Sequence, residues 1–230
     1  LTVHIPLRRV VVVLALVVGA VTAANLVTQI AAHVYRHDVM LGLVRLFYLD
    51  AENNVPTWVS SALLLLSALV IATIAAAAWR QGDPYRWHWA GLSTIFAVLS
   101  LDETASIHEA IVPVARRLLG LRGFLTHTAW VIPAAVVLVA LGVAARRFIR
   151  HLPATTRRQA ALALSLLVAG AMGMELVGGA YSDRHGYNNL PYALIATAEE
   201  TLEMVATVLF VRTWLSHLAS GRPEIRLHLS

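Results

Sequence analysis

The sequence predicts an all-α, polytopic membrane helix bundle: about six transmembrane helices, a short interfacial helix between the first two, and both termini cytoplasmic. Three observations carry that expectation. Hydrophobic residues make up 58% of the 230 and charged residues only 13%, about half the charge of an ordinary soluble domain. Six stretches approach the ~20 apolar residues needed to cross a bilayer. The arginines gather in alternate loops. High apolar content and the absence of Cys exclude disordered, collagen-like and disulfide-scaffold classes.

The first stretch covers Val10 to Ile30 and is entered by Arg8-Arg9. Its length and the spans that follow separate it from a signal peptide. Val39 to Tyr48 is apolar but too short to cross, and reads as an interfacial helix. Asp50 to Thr57 ends that helix, and Pro56 and Thr57 suit the start of a second span running to Trp79. The third span covers Trp87 to Ala110, with Tyr85, Trp87, His88 and Trp89 as an interfacial belt. After an amphipathic connector from Arg116 to Gly123 come Ala129 to Ala145, Gln159 to Tyr181 and Pro191 to Trp214. Residues 1–219 read as one membrane domain and residues 220–230 as a polar tail.

All 18 basic residues are Arg. With a cytoplasmic N-terminus, twelve of them fall on the inside and six on the outside, the asymmetry expected of inside loops. The location implied is the cell (inner) membrane of a bacterium, crossed several times. The basic pI near 10.2 then reflects the cytoplasmic face and anionic lipid. No nucleic-acid motif is present, and no nucleic-acid partner is expected.

The acidic residues are unusual. Asp102, Glu103 and Glu109 fall in the third span, Glu175 in the fifth, and Glu199, Glu200 and Glu203 in the sixth. A carboxylate at membrane depth costs a few kcal/mol, and such residues are functional by default. No Arg or Lys lies deep in a span to neutralise them, so they must share protons, face water or bind cations. The orientation set by arginine alone places all seven toward the outer side, near Asp50, Glu52, His127, Asp183 and His185. On a continuous helix Asp102, Ser106 and Glu109 share one face.

Carboxylates and histidine without thiols form a hard-to-borderline ligand set suited to Zn, Fe or Mn. The expected metal ligands are Asp102, Glu103, His108, Glu109, Glu199 and Glu203, with Glu200 or Glu175 as general base. The Glu-x-x-His spacing of di-metal bundles and the His-Glu-x-x-His of thermolysin-like enzymes are both absent. The reading that follows is a metal-dependent membrane hydrolase or oxidoreductase acting on a lipid-like substrate. The alternatives are a structural or assembly subunit of a larger membrane complex and, third, a cation or proton transporter. Membrane lipids, partner membrane subunits or a second copy of the chain are the partners these readings imply.

Two short strings resemble the alkaline ceramidase family of membrane hydrolases. They are Glu52-Asn53-Asn54 with Pro56-Thr57-Trp58 and Ser60, and Ser106 with His108. That family's paired histidines, one turn apart on a late helix, have no counterpart; Glu199 and Glu203 stand at the comparable place. The resemblance does not extend to membership.

Overall fold

The computed structural model describes residues 6–37, 39–126 and 128–221. His127 and the tail beyond residue 221 lie outside these. Among the described residues the structure is helical, without strands. Helix α1 spans Leu7–His33, and a 3₁₀ turn, Met40–Gly42, leads into the short α2, Leu43–Phe47. Helix α3 spans Val55–Arg80 and α4 Arg86–Ala105; α5, Ile107–Leu119, follows with one residue between. Helices α6, Val131–Ala144, and α7, Arg146–His151, come next. Helix α8, Ala154–Val168, a π turn, Ala169–Met174, and α9, Glu175–His185, form one continuous stretch before α10, Leu190–Gly221.

Three stretches are long and apolar enough to cross a membrane: Leu7–His33, Val55–Gln81 and Ala154–His185. Val131–Ala144 is apolar but shorter. Helices α4 and α10 have 20 and 32 residues; their carboxylates lower their hydropathy. Leu16, Val136 and Val139 lie exposed on the outside of α1 and α6, as side chains in contact with lipid do rather than those facing water.

Local chemistry sets the helix starts. The Asn54 side chain accepts from Thr57 N at 3.1 Å, and its Nδ2 donates to Tyr48 O at 2.6 Å. Asn189 caps α10 by accepting from Tyr192 N at 3.0 Å. Both satisfy otherwise orphaned first-turn amides. Between α3 and α4, Ser61 donates to Ser100 O and Ser100 to Ser61 O, each at 2.8 Å, a close approach that small polar residues permit. Asn25 of α1 donates to Thr197 Oγ1 of α10 at 2.7 Å and accepts from Leu49 N at 3.2 Å. It is fully buried and ties three segments together.

The third span departs from expectation. Its helix stops at Ala105, because Ser106 adopts a left-handed backbone (φ 50°, ψ 42°). Residues 107–119 form a separate helix, so Glu109 no longer shares a face with Asp102. Glu109 is exposed on α5.

Candidate functional site

The break at Ser106 builds the first part of the site. Asp102 sits in the last turn of α4, and its Oδ1 accepts from His108 N at 2.8 Å. Its Oδ2 lies 3.1 Å from His108 Nδ1. Both oxygens of one carboxylate are therefore engaged by the first turn of α5. This pairing assigns the Nδ1 proton to the bond and leaves Nε2 free. The His108 ring also packs against Trp130, with centroids 5.2 Å apart.

Helices α9 and α10 supply the second part. Glu175 directly follows the π turn, a distortion frequent at functional sites. It accepts from Trp130 Nε1 at 3.2 Å and faces Glu199. Gly170 lies within the π turn, where an added Cβ would sit 2.8 Å from Glu203 Cγ and 3.0 Å from the Glu199 carbonyl oxygen. Only glycine allows this crossing. Glu103 of α4 faces the Ser60 hydroxyl of α3 and lies within electrostatic reach of Glu200 and Glu203. Asp102, His108 and Glu175 lie within the same reach of Glu203. The seven carboxylates expected from sequence thus gather at one end of the bundle, with Glu109 at its exposed rim.

The loop before α3 closes that end. Tyr48 donates to Asp50 Oδ2 at 3.0 Å and Tyr192 to Oδ1 at 3.3 Å. Asp50 keeps an exposed edge, yet packing among protein atoms pushes its carboxyl up to about 6 against the two phenol bonds. Burial, then the charge of Glu109, raises Glu52. Burial and the nearby Asp50 charge raise the Tyr48 phenol. For His108, burial acts downward, but the bond to Asp102 and the surrounding acid charge outweigh it and hold the imidazole above its ordinary value.

The metal expectation needs correction. Among the described residues, no group of three or more of these side chains stands close enough to hold a metal ion. Asp102, Glu103, His108, Glu109, Glu199 and Glu203 share a neighbourhood without converging on one point. The reason is plainest at Asp102, whose two oxygens are already committed to His108. Asp183 and His185 are exposed, and His185 stacks on Tyr181 at 4.5 Å. Sequence reading missed Trp130 and Tyr48 as members of this site, and Ser60 entered only through the family resemblance. An indole and a phenol beside acids are detectable only once the chain is folded.

A family model described as a domain of unknown function (DUF8692) matches residues 10–218. The chain belongs to this family. The match reaches into every helix described above, and the acid cluster and the α4–α5 break both lie inside the DUF8692 region. Neither the curated proteins nor the solved structures compared with the chain gave a match.

Proposed function

We propose that this DUF8692 protein is a six-span membrane enzyme that cleaves a lipid-like substrate with water, at a site opening to the outer side. The observation that carries the reading is the Asp102–His108 pair beside the carboxyls of α9 and α10. Asp102 orients the imidazole and would stabilise it when protonated; Nε2 is the free base that would take a proton from water. Glu175 and Glu200 become neighbouring polar partners in this arrangement rather than the primary base. The orientation rests on arginine counts, and α4 and α10 are taken to cross because each runs antiparallel to its apolar neighbour.

The test uses purified full-length protein in vesicles containing ester-, amide- and phosphoester-linked lipids, with products read by mass spectrometry. Wild type is expected to release a product, and His108→Gln to slow release by about 10²–10⁴-fold, the usual worth of a positioned base. A folded wild type that changes none of these lipids would overturn the reading and favour the structural subunit. The same Nε2, backed by Asp102, is also the nitrogen a divalent ion would take. Elemental analysis showing stoichiometric Zn, Fe or Mn, lost in His108→Gln, would replace the general base with a metal-bound water.

A further inference from the structure

On the face of α10 away from the carboxyls, an apolar groove of about 450 Å³ runs between α1 and α10. Val11, Ala15 and Gly19 line it from α1, and Thr201, Val205 and Leu209 from α10. It extends along α1 from Val11 to Leu26, about 22 Å at 1.5 Å per residue. Its mostly apolar lining along this length suits an extended hydrocarbon tail.

Charge marks one mouth of this groove. Arg8 lies three residues before Val11 and Arg212 three residues after Leu209, so each sits on the groove face of its helix, one turn beyond the apolar lining. The helices are antiparallel, joined by Thr22 to Thr201 at 3.2 Å. Both guanidinium groups therefore stand at the same end. Both arginines are exposed, and neither forms an ion pair among the described residues.

We propose that this groove is a binding site for one anionic glycerophospholipid, with an acyl tail between α1 and α10 and its phosphate between Arg8 and Arg212. Paired arginines at a helix cleft fit a phosphate, and the tail-sized groove supplies what a bare basic patch lacks. The site is separate from the acid cluster and does not depend on the catalytic reading.

Native mass spectrometry of the full chain in detergent, with equimolar phosphatidylglycerol and phosphatidylcholine, tests this. Wild type is expected to retain one phosphatidylglycerol in preference. Arg8→Gln/Arg212→Gln should reduce that preference by about thirtyfold, at the usual worth of two arginines near anionic lipid. Arg146→Gln/Arg147→Gln removes the same charge from the same end, away from the groove, and should leave the preference intact. Gly19→Leu has open space above it, so the protein should stay folded while the filled groove retains less of both lipids. Equal preference in wild type and Arg8→Gln/Arg212→Gln, or an equal fall in the Arg146→Gln/Arg147→Gln control, overturns the phosphate site. Undiminished retention in Gly19→Leu overturns the tail site.

Discussion

Where the termini of the bundle meet, aromatic rings fill the space between helices; at the opposite end carboxyls do. Trp89 touches Phe148, Trp214 and His217 at centroid distances of 4.9, 5.9 and 5.1 Å. Phe96 meets Phe210 at 5.0 Å. Trp89, Phe96, Phe148, Phe210 and Trp214 belong to one continuous buried cluster. Among the described residues, the acidic end instead carries those with positive φ that are not glycine: Arg36, Met40, Leu41, Asn53 and Ser106. Strain of that kind costs about 1–3 kcal/mol per residue and persists where surrounding structure holds it, often at functional sites. The contrast separates labour. One end contributes packing, and the other holds groups that water and lipid alone would not place together.

The largest expected effect comes from breaking the packed end. Trp89 is 4% exposed, and Trp89→Ala opens a cavity among three ring partners. The expected cost is about 3–5 kcal/mol, read as a lowered unfolding midpoint in detergent. Activity per folded molecule should stay near wild type. A variant with wild-type stability and lost cleavage would erase the division between the ends.

Gly170→Val attacks the place where the two kinds of construction meet. The new side chain would meet Glu203 Cγ and the Glu199 carbonyl, and a backbone atom cannot rotate away. Overpacking of this kind costs about 1–3 kcal/mol, and the shift of α10 should also abolish cleavage. Gly142→Ala, where a Cβ meets nothing within 4 Å, is the matched control and should be neutral in the same unfolding and product assays.

The helix segments and the gathering of acids were legible in the sequence, because hydropathy and arginine placement act over twenty residues at a time. Single-residue geometry was not. Ile107, Ala110, Ile111 and Val112 look like a continuing span, and nothing in a serine announces a left-handed backbone. That one residue decides the site. On an unbroken helix, residues 102 and 108 would lie about 9 Å apart along the axis and on different faces. The break brings Asp102 within 3.1 Å of His108, turning an expected metal ligand into the hydrogen-bond partner of an imidazole. The π turn was hidden likewise. Gly170 and Gly173 lie within it, but the extra residue in the helix carries no sequence mark.

The smallest expected effect sharpens the comparison through pH. Asp50 holds its proton more tightly in the folded chain, at about 6 against an ordinary 3.8. The folded state therefore binds more protons than the unfolded state between those values. That contribution to stability is fully present below the lower value and is lost as pH rises through the upper one. The unfolding midpoint of wild type should fall across this window. Asp50→Asn removes the titration while keeping a partner for Tyr48 and Tyr192, so its midpoint should fall less. Glu52, raised in the same direction by burial and Glu109, titrates as well, so the flattening is partial. Trp89→Ala, with no titrating group added or removed, should shift the whole curve without changing its slope. A pH slope unchanged by Asp50→Asn would mean that this carboxyl is as well solvated folded as unfolded, and that the acidic end begins deeper, at Glu175 and α10.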